Sequence, residues 1–165
     1  MVETGGVGNQ PPPLSGFDPL ACDPALADAV HREGAGDAVP TLASLAELVG
    51  STEAREHARL ADAHPPVLRT HDRYGRRVDD VEMHPSWHWL MSTSVGWGLH
   101  ATPWVAPAGS GAHVARAAGF YLMNQLENGH CCPISMTYAA VPALRHDTNL
   151  AARFEPGLQI GRAHV

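Results

Sequence analysis

The clearest helical pattern in this chain is SGAHVARAAGFYLMNQLENG, residues 110–129. Five of its residues recur at the spacing of one helix face: Val114, Ala118, Tyr121, Leu122 and Gln125. Gly129 closes the pattern, as glycine commonly does just after a helix C-terminus. The segment therefore predicts an amphipathic helix whose apolar side is turned towards a protein core.

The rest of the chain repeats this helical pattern between clear start and stop signals. One further helix is predicted from Asp23 to Gly34 or Gly36, a second ends at Gly50, and a third runs from Ser51 to Pro65. Two more are predicted over residues 84–100 and over residues 132–145, where Pro142 kinks or ends the helix. Residues 67–85, VLRTHDRYGRRVDDVEMHP, predict two short extended pieces around a turn at Asp72–Gly75. The expected fold is all-α, with roughly six helices.

The domain organisation follows from these signals. A Gly- and Pro-rich extended arm is predicted over residues 1–22, a helical domain over residues 23–145, and an irregular tail over residues 146–165. A chain of 165 residues is long enough for one domain. Charged residues are only 17% of it, so we expect part of its surface to be covered by other polypeptide.

The charge pattern argues against a nucleic-acid binder. The net charge is −6, and all eleven basic residues are arginine. The densest basic cluster is Arg69, Arg73, Arg76 and Arg77, and it is interleaved with Asp72, Asp79 and Asp80. Because a nucleic-acid site needs a basic face, we interpret this cluster as a solvated turn.

Three cysteines, Cys22, Cys131 and Cys132, give no disulfide framework. The chain also has no apolar run long enough for a membrane span and no signal-peptide pattern at its start. These features predict a reduced, cytoplasmic protein.

Two groups of residues have the right chemistry for a metal ion. His84 and His88 are one helical turn apart, but we expect His84 to cap a helix and His88 to edge an apolar stripe. His130 precedes Cys131 and Cys132, although adjacent cysteines at a helix start are more often buried small residues.

Cys132 is also a candidate nucleophile, because a helix N-terminus favours a thiolate and His130 is nearby. A local Cys–His pair without a third partner is weak support for catalysis. We therefore assign no catalytic, cofactor-binding or metal-binding residue to this chain.

Three stretches carry a resemblance to a known family. They are the arm beginning at Asn9–Gln10, DRYGRRVDDVEMHPSWH (Asp72–His88) and CPISMT (Cys132–Thr137). Across roughly Asn9 to Leu144 the chain resembles the N-terminal helical domain of the AidB branch of the acyl-CoA dehydrogenase family. This branch is linked to the adaptive response to DNA alkylation.

The resemblance implies a larger parent protein. In this family FAD binds between a middle β domain and a C-terminal helical bundle, which carries the general base, a glutamate. Members of the branch assemble as homotetramers and bind DNA through a basic C-terminal extension. Helices that carry Leu90, Met91, Val95, Tyr121 and Leu122 are expected to pack one face against the rest of such a parent.

The chain departs from the family pattern where the flavin contact should come. The segment MTYAAVPAL, from Met136 and Thr137 onward, has no Gly-Ser at the needed distance. The 165-residue chain is therefore expected to be an inactive N-terminal fragment without FAD. Residues Ile160–Val165, with part of Gln159, match the translation of a common sequencing-library adapter, so we predict that they are non-native.

Two other classes of function stay open from the sequence. A free-standing helical module could use the arm and the His-rich surface to bind a partner protein. A small His/Cys metal protein is the third class. The binding-module class requires the domain to be monodisperse on its own. The metal-protein class requires stoichiometric metal after purification.

Overall fold

The computed structural model describes residue 11 and residues 14–161, which fold mainly into helices. The helices are α1 (Pro24–Arg32), α2 (Val39–Gly50), α3 (Thr52–Ala63), α4 (Pro85–Gly96), α5 (Ala112–Leu126), α6 (Cys131–Leu144) and α7 (Thr148–Gln159). A β-hairpin of β1 (Val67–His71) and β2 (Arg77–Glu82) lies between α3 and α4. None of the described helices is long and apolar enough to cross a membrane.

Three predicted helix starts are confirmed by their capping hydrogen bonds. The carboxylate of Asp23 accepts the Leu26 N–H at 3.0 Å, and Ser51 Oγ accepts the Ala54 N–H at 3.1 Å. His84 Nδ1 caps α4 by accepting the backbone N–H two residues later at 3.2 Å. Each cap satisfies a backbone donor that the first helical turn leaves without a partner.

The core lies where α5 packs against α2, with α4 and α6 completing it. Its largest fully buried apolar side chains are Leu45, Leu90, Leu122, Met123 and Ile134. Fully burying one such side chain stabilises a fold by about 1.5–3 kcal/mol. These residues therefore supply much of the free energy that holds the helices together.

The end of the predicted arm is anchored at the junction of α2 and α3. The Gly16 N–H donates to the Gly50 carbonyl at 2.8 Å. A Cβ at Gly50 would overlap the carbonyl oxygen of Phe17, so only glycine allows this approach. The Arg55 guanidinium lies 5.0 Å from the centre of the Phe17 ring. Residues 1–10, 12 and 13 of the predicted arm lie outside the described residues.

The hairpin confirms the two predicted extended pieces and adds a small sheet to the helical fold. β1 and β2 pair antiparallel, with Leu68 opposite Val81 and His71 opposite Arg77. A bulge interrupts the register, and Asp79 adopts a left-handed φ of 48°. Every residue of both strands is exposed.

The predicted irregular tail is wrong over most of its described length, because residues 148–159 form α7. The carboxylate of Asp147 caps this helix by accepting the Asn149 and Leu150 N–H groups. Arg145 then pairs with Glu155 and ties α7 to the end of α6. Pro156 and the glycine that follows it lie inside this helix, which continues through them. Residues 162–165 of the predicted non-native segment lie outside the described residues.

Candidate functional site

The turn between α5 and α6 contains the His–Cys segment singled out from the sequence. Glu127 leaves α5 with an extended backbone, at φ −157°, and its carboxylate folds back over the turn. Its oxygens accept the backbone N–H groups of Gly129 and His130. The same carboxylate contacts His130 Nδ1 at 2.7 Å. The turn is thus organised around one carboxylate.

The other ring nitrogen of His130 reaches across to α4. His130 Nε2 lies 2.9 Å from Ser94 Oγ, and both side chains are fully buried. With Nδ1–H donating to Glu127, Nε2 is left to accept the Ser94 hydroxyl proton. We call this chain of three side chains the Ser94–His130–Glu127 network.

Burial sets the protonation of the network. Burial lowers the pKa of His130, and the neighbouring Glu127 only partly opposes this shift. Burial alone would raise the pKa of Glu127, but hydrogen bonds from the backbone and ring of His130 and from Gly129 hold it below its ordinary value. At neutral pH the network therefore contains a neutral imidazole and a charged carboxylate.

The order serine–histidine–carboxylate is also that of a hydrolase triad. Here the Ser94 hydroxyl has no exposure to solvent, so a substrate cannot reach it. The network instead joins α4 to the α5–α6 turn. Sequence analysis missed Ser94 and Glu127 as partners of His130; the available signal was a glutamate three residues before a histidine, with a glycine between them.

Acidification should destabilise the fold through this network. Below pH 6.5, the ordinary pKa of histidine, the unfolded chain takes up a proton that folded His130 resists. Since the unfolded state then binds more protons, the free energy of unfolding falls as pH falls. Glu127, whose folded pKa lies below 4.5, adds a further loss at lower pH.

We therefore expect the melting temperature to fall steadily from pH 7 to pH 5, measured by circular dichroism. The variant His88→Gln is the matched control, since His88 is exposed and should leave that fall unchanged. A melting temperature that is constant or higher at pH 5 would contradict the assignment.

The two adjacent cysteines have opposite environments. Cys131 is buried, its Sγ lies 3.8 Å from His130 Nε2, and burial raises the pKa of its thiol to about 12. Cys132 is exposed, while the ring of His130 is occupied by Ser94 and Glu127. The proposed Cys132–His130 nucleophilic pair therefore has no support in the geometry.

The histidines of α4 act in packing. His84 caps the helix, as expected, and its ring stacks on His64 at 4.5 Å. His88 is exposed and meets the edge of Trp87 at 5.3 Å. Within residues 14–161 and residue 11, no group of three or more metal-binding side chains is close enough to hold an ion.

Two of the four arginines of the hairpin cluster pair with carboxylates of the same hairpin. Arg69 pairs with Glu82 at 2.8 Å and Arg77 with Asp79 at 2.6 Å. The other two arginines of the cluster lie over the ring of Tyr74. These exposed pairs fit the interpretation of a solvated turn.

Helix α6 has an uncovered apolar face. No charged residue occurs from Cys131 to Leu144. Four exposed residues lie at helical spacing along its outer side: Cys132, Met136, Ala139 and Ala143. The opposite side is buried in the domain. A helix that is apolar all round normally has both faces covered.

This face differs from the surface expected from sequence. Leu90, Met91 and Leu122 were expected to pack against the rest of a parent protein, but they are at most 4% exposed here. They belong to the core of the domain itself. Tyr121 remains 48% exposed and donates its hydroxyl to Asp23 at 3.1 Å.

Comparison with known proteins points to one family. The family described as adaptive response protein AidB N-terminal domain matches residues 9–162. The putative acyl-CoA dehydrogenase AidB of Escherichia coli (strain K12) is 47% identical over 142 residues, which cover 86% of this chain and 26% of that protein. The chain thus spans about a quarter of the length of this curated relative.

Two solved structures share the fold. The apo form of Bd2924 superposes with a TM-score of 0.78 and 27% identity, over 92% of this chain and 31% of its own. Caenorhabditis elegans ACDH-11, solved in complex with C11-CoA, gives a TM-score of 0.76 over 94% of this chain and 28% of its own. At 21% identity, the second likeness supports the fold alone.

Proposed function

Because the chain belongs to the family of adaptive response protein AidB N-terminal domains, we propose that it forms the N-terminal helical part of a longer, flavin-dependent acyl-CoA dehydrogenase-like protein. In that parent its role is to complete a larger fold. On its own we expect no dehydrogenase activity.

The outer face of α6 is the observation that carries this proposal. Met136 on this face is 67% exposed, with exposed Ala139 and Cys132 beside it. Leaving apolar surface in water costs on the order of 25 cal/mol per Å². Because α6 has no charge to favour solvent, covering polypeptide should stabilise it. The remaining three quarters of the relative's length could supply that polypeptide.

Thr137 offers no flavin contact in this fold. Thr137, the threonine nearest to the family's flavin-contacting pattern, is buried in α6, and its hydroxyl donates to the Pro133 carbonyl at 3.1 Å. It therefore presents no hydroxyl to a cofactor on an exposed strand end. We infer that any FAD in the parent is held by the polypeptide outside this chain.

Further properties of the parent are inferred from the resemblance. A β domain and C-terminal helices would hold FAD and carry the glutamate that removes a proton from an acyl-CoA. Assembly as a homotetramer and DNA binding by a basic C-terminal extension belong to the same inference. The description of the family as an adaptive response protein supports a role in that response.

Self-association of the isolated chain tests the incomplete α6 face. We expect the 165-residue chain to associate increasingly with concentration, and Met136→Glu to weaken that association at least about tenfold, because a buried carboxylate opposes the contact. Analytical ultracentrifugation over a concentration series measures this. Tyr74→Glu is the matched control, since Tyr74 is similarly exposed, at 69%, on the hairpin.

If the isolated chain sedimented as a monomer at every concentration, the exposed face of α6 would no longer support the proposal. The intact gene downstream of Pro156 gives the independent check. It should encode a β domain, and the longer product should purify with FAD while the 165-residue chain does not. A native stop codon before any such domain would overturn the proposal and favour a free-standing helical module.

A further inference from the structure

A cavity of about 170 Å³ lies between α2, α5 and the segment of residues 97–104. Its wall is mainly apolar, and Leu42, Leu45 and Leu99 line it from the core of the domain. The cavity is partly open to solvent, so a small molecule has a way in. Neither the outer face of α6 nor the buried serine–histidine–glutamate network lines it, so this feature is independent of the proposed function.

Small residues on α5 create the space. Ala115 and Gly119 lie one helical turn apart, and both line the cavity. At Gly119 the side chain of Leu45 lies only 3.3 Å from where a Cβ would be, which shows how closely the walls approach there. In another protein an engineered apolar cavity of roughly 150 Å³ stays dry and binds benzene. The cavity of this chain therefore has room for one aromatic ring or a short branched alkyl group.

The single ionisable residue of the cavity wall is Arg116, and its guanidinium is engaged elsewhere. Its Nε–H donates to the Leu99 carbonyl at 2.8 Å, and its Nη2 is buried. The guanidinium carbon lies 4.3 Å from the centre of the Phe120 ring and 4.1 Å from that of Tyr138. Neither its Nε–H nor its Nη2 is therefore available to a molecule in the cavity.

The wall consequently discriminates by charge. Thr41 and Thr102 bring hydroxyl groups to it, but both residues are exposed and no carboxylate lines the cavity. A charged molecule that entered would lose its hydration without gaining a partner of opposite charge, which is costly. A neutral apolar molecule would instead leave water favourably and gain dispersion contacts with the leucine side chains.

We propose that this cavity binds a neutral apolar molecule of the size of one aromatic ring or a short branched hydrocarbon. The ligand lies beside Ala115 and Gly119 of α5 and contacts Leu42 and Leu45 of α2. Carboxylates and amines of the same size are rejected, because the wall offers neither of them an ion-pair partner. Since the cavity exists only in the folded domain, the ligand also raises the melting temperature.

Three probes of equal ring size test this on the 165-residue chain at low micromolar concentration. Toluene, benzoate and benzylamine are titrated by calorimetry, with thermal denaturation as a second measurement. We expect toluene to bind with a Kd of about 1 mM or below, and each charged probe to bind at least about tenfold more weakly. Absence of toluene binding, or equal binding of benzoate or benzylamine, overturns the proposal.

Two matched variants locate the site. Ala115→Leu fills the cavity and should weaken toluene binding at least about tenfold, whereas Ala117→Leu, at an exposed position on the same helix, should leave it unchanged. Equal toluene affinity in both variants would place the ligand elsewhere and overturn the proposal. Ala115→Val adds less volume and serves in the same comparison if Ala115→Leu does not fold.

The outer face of α6 is another apolar surface that could take up toluene. Met136→Glu places a charge on that face and leaves the cavity wall intact, so toluene should bind this variant as it binds the native chain. Loss of toluene binding in Met136→Glu would assign the ligand to α6 and overturn the proposal. Because toluene affinity is measured apart from self-association, a failure of the proposed function would leave this result unaffected.

Discussion

The variant His130→Ala should lower the free energy of unfolding by about 3 kcal/mol, measured by urea denaturation followed by circular dichroism. The ring of His130 satisfies both the buried hydroxyl of Ser94 and the carboxylate of Glu127. Truncation leaves the carboxylate without its ring partner and the hydroxyl without an acceptor. It also opens a cavity in the core, which adds to the loss.

The control for this variant is His88→Ala, which removes an exposed ring from α4. A substitution at such a site should change the free energy of unfolding by no more than about 0.5 kcal/mol. Ser94→Ala removes only one hydrogen bond of the network and should fall between the two. Equal losses in His130→Ala and His88→Ala would show that the network contributes nothing to stability.

Gly50→Ala should lower the free energy of unfolding by about 2 kcal/mol, measured in the same way. The new Cβ overlaps the carbonyl oxygen of Phe17, and a backbone atom cannot turn aside as a flexible side chain would. The anchored segment must then move, which breaks the hydrogen bond from Gly16 to Gly50. The contact of Phe17 with Arg55 should be lost with it.

Gly96→Ala is the control for Gly50→Ala, because the same substitution should not lower the free energy of unfolding there. Gly96 ends α4, and nothing lies within 4 Å of the position of its Cβ. Alanine there should be neutral or stabilise the helix by up to about 1 kcal/mol. If Gly50→Ala behaved like Gly96→Ala, residues 14–18 would not be held against α2.

Local signals explain why most of the helices could be predicted. Asp23, Ser51 and His84 cap their helices through backbone groups only two or three residues away. Such bonds depend on neighbours in the sequence, so the pattern alone reveals them. α7 was missed although it carries the same kind of local signal, since Asp147 caps it through the Asn149 and Leu150 N–H groups.

The candidate site was harder to predict, because its partners are distant in sequence. Ser94 and His130 are 36 positions apart, and nothing local to either residue indicates the other. The exposed side of α6 was hard to predict for a different reason. A helix without charges shows no polar face, so periodicity cannot tell which side faces the core. That assignment needed the packing of Ile134 and Val141, which are fully buried.

Cys131 and Cys132 are adjacent in sequence, but their thiols differ in exposure to solvent, which governs how fast a reagent alkylates them. A thiol reacts as its thiolate and only when a reagent reaches it, so Cys131, buried and with its pKa raised to about 12, reacts only while the first turn of α6 is open. Its rate of modification measures how often that turn opens. Exposed Cys132, one residue away, supplies the intrinsic rate on the same molecule. The ratio of the two alkylation rates therefore reports how often the start of α6 unfolds locally.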